Sequence, residues 1–236
     1  MTQYKRRIRN RLERIAEHRI SEPLRRRSAP LRDQEFMREL VVRTDNFGQV
    51  TWLGHPVWQN VLDLWSLQEA ISEIRPALIV ETGTYQGGSA LFYAHLCDLL
   101  GHGRIMTVDV EPAHALEHPR IEFLTGSSVG GAVLDRVSAA ASTADGPVMV
   151  VLDSDHSREH VAAELEAYHR FVTPGSLLLC QDGVIDELPS MRIGRPGPLP
   201  AIHAFLAAHP EFTVDQRYNR RFIVTHHPDG WLRRAT

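Results

Sequence analysis

The chain has 236 residues, of which 43% are hydrophobic and 23% charged, and its formal net charge is −3 at pH 7. These values are ordinary for a globular protein with a full core and give no global reason to expect a nucleic-acid partner. No apolar run approaches the roughly 18 residues that favour a membrane span, and the two cysteines, Cys97 and Cys180, lie in apolar runs typical of buried thiols in a cytoplasmic protein.

Residues 1–30 are strongly basic, with ten Lys or Arg against three acids. Apolar residues such as Ile8, Leu12 and Ile15 recur there at roughly helical spacing. The segment is either a basic arm for an anionic partner or a helix packed on a neighbouring subunit with its charged face in water. The second interpretation is favoured, and it predicts a homo-oligomer.

Residues 52–60 contain two tryptophans, a histidine and a glycine. His55 and Trp58 could contact a substrate in a pocket, or the tryptophans could be packing beneath a loop, and the sequence supports both equally. We therefore assign residues 1–60 to a basic helical arm with an aromatic pocket or lid segment, and residues 61–236 to the main domain. That domain opens with a predicted helix from Leu62 to Ile74, ended by Pro76.

From Leu78 the chain alternates apolar strands with helical segments, which predicts an α/β fold with a doubly wound, mostly parallel, seven-stranded sheet and an N-terminal helical extension. A helix is expected from Ser157 to Phe171, and residues 186–200, rich in Pro and Gly, are expected to form a loop over the active-site side. His226 and His227 follow the last predicted strand and are expected at the surface. The predicted strands comprise residues 78–80, 105–109, 121–124, 148–153, 176–180, 212–215 and 221–225.

A glycine-rich turn, residues 80–89 (VETGTYQGGS), follows the first of these strands. Its glycines let the backbone approach a ligand closely, and open α/β sheets bind ligands at the carboxyl ends of their strands. The spacing matches neither GxGxxG nor a P-loop, which favours a cofactor with an adenosine and no phosphate, S-adenosylmethionine, over a plain tight connection. The candidate cofactor-binding residues of this turn are Glu81, Gly83, Thr84, Tyr85, Gly87 and Ser89.

Acidic residues follow three further strands. Asp109 ends the second strand, where an acid can accept both ribose hydroxyls, or it is simply a solvated strand end. Asp153 follows the fourth strand, and Gln181 and Asp182 follow the fifth. Because parallel strands end side by side, these three oxygen-bearing side chains can converge on Mg²⁺.

His156 begins the helix after Asp153, where a histidine beside a metal-bound hydroxyl is a suitable general base. Alternatively, Asp153 or Asp155 caps that helix. His156 and His160 also have the spacing of an HExxH zinc site, but Ser157 stands where that motif has its glutamate.

The chain resembles the cephalosporin-hydroxylase-like family of class I methyltransferases, which includes rhamnosyl and macrolide-sugar O-methyltransferases. The resemblance covers roughly residues 50–234. It implies S-adenosylmethionine at the glycine turn, with Ser127 and Asp153 also at the cofactor, a divalent metal held after strands four and five, and His156 as base. The matching segments are 52–54 (WLG), 63–65 (DLW), 81–90 (ETGTYQGGSA), 126–128 (GSS), 152–157 (LDSDHS), 164–168 (ELEAY), 174–176 (PGS) and 228–232 (PDGWL).

The chain departs from the family at the strand-five pair, where Gln181-Asp182 replaces the usual Glu-Asp. The lost charge weakens the metal site, and a water-bridged or vacant site is an alternative. We expect an S-adenosylmethionine-dependent O-methyltransferase acting on a hydroxyl of a small natural product, with a sugar or polyol favoured. The alternatives are a catalytically silent accessory protein that binds S-adenosylmethionine and a methyltransferase of phenolic or catechol acceptors.

Overall fold

The computed structural model describes residues 35–40, 49–111, 116–188, 191 and 194–236. The chain divides into two compact units between Thr44 and Asp45. In the first unit, residues 35–40 form helix α1. The basic segment 1–30 lies outside the described residues, so the predicted homo-oligomer and the predicted domain boundary at residue 60 stay predictions.

The second unit contains nine strands and seven further α-helices among its described residues. The strands are β1 (Thr51–Trp52), β2 (His55–Pro56), β3 (Leu78–Thr82), β4 (Arg104–Asp109), β5 (Ile121–Thr125), β6 (Val148–Leu152), β7 (Leu177–Cys180), β8 (Phe212–Val214) and β9 (Trp231–Arg234). The helices are α2 (Val61–Ile74), α3 (Gly88–Leu100), α4 (Gly131–Ser142), α5 (Arg158–Tyr168), α6 (Val184–Glu187), α7 (Pro198–Ala208) and α8 (Gln216–Asn219). A 3₁₀ turn, His169–Phe171, extends α5.

Seven strands form one sheet in the order β5-β4-β3-β6-β7-β9-β8, and β1 and β2 form a separate hairpin. Within the sheet only β9 is antiparallel to its neighbours, β7 and β8. This mostly parallel sheet with flanking helices confirms the predicted fold class.

The two central strands, β3 and β6, are buried along their whole length. Successive side chains of a strand point to opposite faces of the sheet. Val80 and Val150 accordingly belong to one hydrophobic cluster, with Leu165 of α5, and Ile79 belongs to the other, with Leu67 of α2. Because both faces are covered, these strands are continuous apolar runs rather than alternating ones.

Two predictions of local structure are wrong. Residues 221–225 are not a strand; Ile223 has a φ of 75° and a mostly exposed side chain, and Arg221 donates two hydrogen bonds to Glu69 of α2. The last strand is β9 instead, where the buried Trp231 and Leu232 pair with β7. Residues 198–200, predicted as loop, begin α7, because proline fits the first turn of a helix.

Among the described residues, none of the helices has both the length and the apolar character required to cross a bilayer.

Replacing Leu165 by Ala should lower the free energy of unfolding by about 2–5 kcal/mol, because the fully buried side chain leaves a cavity in the core. The matched control is Leu99→Ala on α3, whose side chain is 83% exposed and which should change stability by less than about 0.5 kcal/mol. Chemical denaturation of both variants measures the difference. Equal losses would contradict the position of α5 on the sheet.

Candidate active site

The carboxyl ends of the parallel strands open onto a cleft of about 690 Å³, a volume within the usual range for small-molecule sites. Most of the residues predicted to form the site line it. These are Trp58, Gly83, Thr84, Tyr85, Ser89, Asp109, Ser127, Asp153, His156 and Asp182. Four predicted residues, His55, Glu81, Gly87 and Gln181, do not line the cleft.

The glycine-rich turn leaves β3 at a point of very close contact. Gly83 has a φ of 86°, and a Cβ added there would lie 1.9 Å from the carbonyl oxygen of Asp153. The Gly83 N–H donates to the carbonyl of Val108 at 2.8 Å, which ties the turn to β4 as well. Only glycine allows this backbone arrangement, because any side chain at residue 83 would collide with the backbone of Asp153.

Glu81 supports the glycine-rich turn from the side that does not face the cleft. It is fully buried, and its Oε2 accepts a hydrogen bond of 2.6 Å from Thr107, whose hydroxyl lies 2.7 Å from that of Thr84. Burial raises the pKa of Glu81 to about 7, although the hydrogen bond from Thr107 opposes this. Glu81 therefore supports the conformation of the turn rather than facing the cleft.

Asp109 links the second strand to the turn, because its Oδ2 accepts the N–H of Tyr85 at 2.8 Å. The ring of Tyr85 meets that of Trp58 edge to face, with centroids 5.6 Å apart. Both rings line the cleft and remain about half exposed. They form an aromatic border beside the predicted ribose-binding acid.

The two tryptophans of residues 52–60 have different roles. Trp52 packs edge to face on Phe92 at 4.9 Å and donates its ring N–H to His95 at 2.9 Å. Trp52 thus packs the β1–β2 hairpin against α3, whereas Trp58 borders the cleft. His55 lies on the β1–β2 hairpin, exposed and outside the cleft lining.

Asp153, His156 and Asp182 converge in the cleft, each with one ligand atom within 4.8 Å of the others. His156 Nε2 lies 3.3 Å from Asp182 Oδ2 and 3.9 Å from Asp153 Oδ1. Burial, reinforced by the charge of Asp182, raises the pKa of Asp153 well above its ordinary value. A cation placed between the two carboxylates would remove this repulsion. We call these three residues the acidic group.

The capping alternative is wrong, because α5 has Ser157 as its N-cap residue and no side chain accepts an N–H of the helix itself. Asp155 lines the same cleft as the acidic group. Its Oδ1 accepts the N–H of Ser157 at 2.8 Å just before α5, and this hydrogen bond lowers the pKa of Asp155. His160 lies 3.2 Å from the Ser128 hydroxyl and 3.4 Å from Glu164. Neither of the candidate metal clusters among the described residues includes His160, so the HExxH-like spacing does not form a zinc site.

Gln59, which the sequence analysis missed, holds Asp153 from behind. Its Nε2 donates to Asp153 Oδ2 at 2.8 Å and to Gln181 Oε1 at 2.6 Å, and both glutamines are almost fully buried. With its amide turned over, Gln181 would instead donate to the two oxygens of Asp153 at 3.2 and 3.1 Å. In either orientation the Gln181 amide is hydrogen-bonded behind the cleft.

A second buried network supports Asp182, and it corrects the expectation that His226 and His227 lie at the surface. Both histidines are almost fully buried. Asp63 of α2 accepts the hydroxyl of Thr225 at 2.6 Å and the N–H of His226 at 2.8 Å, which draws residues 225–227 into the interior. His227 Nδ1 then accepts the backbone N–H of Asp182 at 3.0 Å.

This contact fixes an unusual backbone conformation, because Asp182 has a φ of 58°, in the left-handed region. Since Nδ1 of His227 accepts, its proton resides on Nε2, which lies 4.0 Å from Asp63. One sequence signal pointed to Asp63: it precedes the buried Leu67 by four residues and Ala70 by seven, so it shares the buried face of α2.

Comparison with known proteins identifies the family. The model of the family "Rhamnosyl O-methyltransferase/CmcI" matches residues 45–235. The chain belongs to this family. It is 32% identical over 191 residues to a rhamnosyl O-methyltransferase of Mycobacterium bovis BCG, covering 78% of each chain. It is 30% identical over 187 residues to that of Mycobacterium leprae, covering 77% of this chain and 82% of the relative. The predicted family and the predicted class of enzyme, an O-methyltransferase, are confirmed.

Solved structures support the same fold. A CmcI structure with Mg and SAM superposes with a TM-score of 0.64 at 18% identity, covering 81% of this chain and 78% of that one. An apo structure of a CmcI variant gives a TM-score of 0.63 at 19% identity, with the same coverage.

Burial raises the pKa of Asp63 to about 7, above the value of about 3.9 in an unfolded chain. A carboxyl whose folded pKa is raised contributes stability that is present below the unfolded pKa and is lost as the pH rises through the folded pKa. Between pH 5 and pH 8, this titration should lower the unfolding free energy of the wild type by about 2–3 kcal/mol.

Asp63→Asn should remove that loss. The difference in unfolding free energy between wild type and variant should therefore change by about 2–3 kcal/mol between pH 5 and pH 8, as measured by urea unfolding. An equal difference at both pH values would show that Asp63 titrates normally.

Proposed function

We propose that this chain transfers the methyl group of S-adenosylmethionine to a hydroxyl of a small-molecule acceptor, with a sugar or polyol favoured. The observation that carries the proposal is the convergence of Asp153, His156 and Asp182 in the cleft that the glycine-rich turn and Asp109 also line, within a member of this family. Relatives named rhamnosyl O-methyltransferases support a sugar hydroxyl as the acceptor.

The residues around the glycine turn fit an adenosine-bearing cofactor. The backbone at Gly83 permits close approach, Asp109 presents a carboxylate for ribose hydroxyls, and the hydroxyl of Ser127 lines the same cleft. When bound there, S-adenosylmethionine supplies a methyl group on a sulfonium, which a nucleophilic oxygen can attack. The contribution of the chain is to hold donor and acceptor in line and to exclude water between them.

The acidic group fits Mg²⁺, because Asp153 and Asp182 offer carboxylate oxygens close together and their repulsion is relieved by a cation. When bound, Mg²⁺ supplies positive charge that lowers the pKa of the acceptor hydroxyl. The prediction that Gln181 is a third ligand stays a prediction. Its hydrogen bond with Gln59 favours an indirect role, in which Gln181 and Gln59 orient Asp153.

His156 is the proposed general base. Its ring is about one-third exposed and faces the cleft, so an acceptor hydroxyl can reach it. The proton of that hydroxyl would pass to the imidazole as its oxygen attacks, and the carboxylate of Asp182, 3.3 Å away, would stabilise the resulting imidazolium.

Two other functions remain candidates. The replacement of a charged family residue by Gln181 supports an accessory protein that binds the cofactor without transfer. The aromatic border formed by Trp58 and Tyr85 supports a phenolic acceptor, because either ring can stack on an aromatic acceptor as well as on a sugar face.

The first test is calorimetric titration of the protein with S-adenosylmethionine, with Mg²⁺ and after EDTA. Asp109→Ala should weaken cofactor binding at least about tenfold, because a hydrogen bond to a charged group contributes about 1.5–3 kcal/mol. The control is Asp98→Ala, which removes an exposed acid that pairs with Arg120 away from the cleft and should bind like the wild type. If S-adenosylmethionine does not bind the wild type, the proposal fails.

His156→Ala should reduce kcat by about 10²–10⁴-fold on the true acceptor, the usual contribution of general-base catalysis. Affinity for S-adenosylmethionine should stay within about twofold, since proton transfer contributes nothing to cofactor binding. Turnover is measured as S-adenosylhomocysteine release on a panel of rhamnosides, polyols and phenols. Near-full activity of the variant would exclude His156 as the base.

Gln181→Glu separates the enzyme from the accessory protein. Restoring the carboxylate should raise Mg²⁺ affinity by at least about tenfold, since it adds a third carboxylate to those of Asp153 and Asp182. Calorimetry with Mg²⁺ measures this, and Gln181→Met, of similar size without polar atoms, is the control. Tighter Mg²⁺ binding without turnover on any acceptor of the panel would favour the accessory protein.

A further inference from the structure

A second cluster of ligand atoms lies outside the cleft, where the end of α5 meets the end of α7. Glu166 is on the last turn of α5, His169 follows three residues later in the 3₁₀ turn, and His209 directly follows α7. One ligand atom of each lies within 4.8 Å of the others. None of these residues lines the cleft, so the cluster is independent of the proposed methyl transfer.

His209 lies between two carboxylates. Its Nε2 is 3.1 Å from Glu166 Oε1, and its Nδ1 is 3.3 Å from Glu211 Oε1. A neutral imidazole has a single N–H, so it can donate to only one of them. A metal ion bound at the other nitrogen would attract the second carboxylate and leave the N–H for the first.

A second imidazole lies beside His209. The His169 ring lies with its centroid 4.4 Å from that of His209. If both rings were protonated they would repel each other at this distance. A metal ion that binds both rings satisfies their lone pairs and the Glu166 carboxylate together.

The donor set and its spacing suit a transition metal. Two imidazoles and one carboxylate, with a fourth position open to water, form a common zinc site. Two ligands bonded at about 2.0 Å in tetrahedral geometry are about 3.3 Å apart, close to the 3.1 Å between His209 Nε2 and Glu166 Oε1. Glu211 then has the role of the outer carboxylate that fixes the tautomer and orientation of a metal-bound histidine.

The surroundings hold these rings in place. His209 stacks on Phe205, with centroids 4.3 Å apart and planes at 25°, and His169 contacts the same ring at 5.7 Å. The His209 side chain is only 17% exposed, whereas Glu166 is 60% exposed and leaves a path from solvent. The guanidinium of Arg234 adds a positive charge nearby, which the two glutamates outweigh.

We propose that Glu166, His169 and His209 bind a divalent transition-metal ion of the Zn²⁺ class, with Glu211 orienting His209. The nitrogen-rich donor set distinguishes this site from the oxygen donors Asp153 and Asp182, which favour Mg²⁺. A bound ion links the end of α5 to the end of α7.

The test uses the full chain carrying His156→Ala, so that the acidic group loses its nitrogen ligand and competes less for zinc. Zn²⁺ affinity is measured by competition with a chromophoric chelator, and Co²⁺ serves as a spectroscopic probe. The expected result is one ion per chain, with the strong visible absorption of four-coordinate Co²⁺. Failure to bind Zn²⁺ below about 1 mM would overturn the proposal.

His169→Ala and His209→Ala in the same background should each lower Zn²⁺ affinity at least about 100-fold, since even outer-sphere partners contribute 10–100-fold. Glu166→Gln should lower it at least about tenfold, and because its side chain is mostly exposed this variant keeps the fold. The matched control is His203→Ala, which removes the histidine of an exposed pair with Asp229 at 3.1 Å. Unchanged affinity in Glu166→Gln, or an equal loss in the control, would overturn the proposal.

Discussion

The whole site depends on the contact between the ends of β3 and β6. A side chain at residue 83 would collide with the Asp153 carbonyl, and the Asp153 N–H donates to the carbonyl of Thr82 at 3.0 Å. The turn proposed to hold the cofactor and the carboxylate proposed to hold the metal are therefore two sides of one backbone junction. Neither can shift without the other, so under the proposed function this junction would fix the distance between the methyl donor and the acceptor.

The carboxylates at this junction are held from behind by α2 and the residue before its cap. Gln59 reaches Asp153, and Asp63 acts on Asp182 through residues 225–227. Holding a charged group by buried hydrogen bonds lowers the cost of organising it when a ligand arrives. α2 itself does not line the cleft; only residues just before its N-terminus do. This helix and the residue before its cap nevertheless set the geometry of both acids.

Much of this arrangement was predictable from the sequence. Buried parallel strands are continuous apolar runs, and their ends meet at one edge, so the glycine turn, Asp109, Asp153 and Asp182 could be placed together. The supporting residues could not, because Gln59 is 122 residues from Gln181 and Asp63 is 162 residues from Thr225. No local pattern encodes such contacts. The last strand was misplaced for the same reason: residues 221–225 have strand-like composition, yet contacts with α2 determine their course.

The hydrogen bonds of Gln59 also constrain how this sequence can diverge. Asp153 and Gln181 both present oxygen atoms to the Gln59 nitrogen. With an amide at position 181, the turned-over Gln181 side chain can itself donate to Asp153. With a carboxylate at position 181, a residue without a donor at position 59 would leave two buried acceptors facing each other, which costs about 1–3 kcal/mol. Position 181, by contrast, accommodates either an amide or a carboxylate while that donor remains. As the sequence diverges, residue 181 is therefore expected to change before residue 59. Gln59, which lies outside every recognised motif, is the less replaceable of the two glutamines.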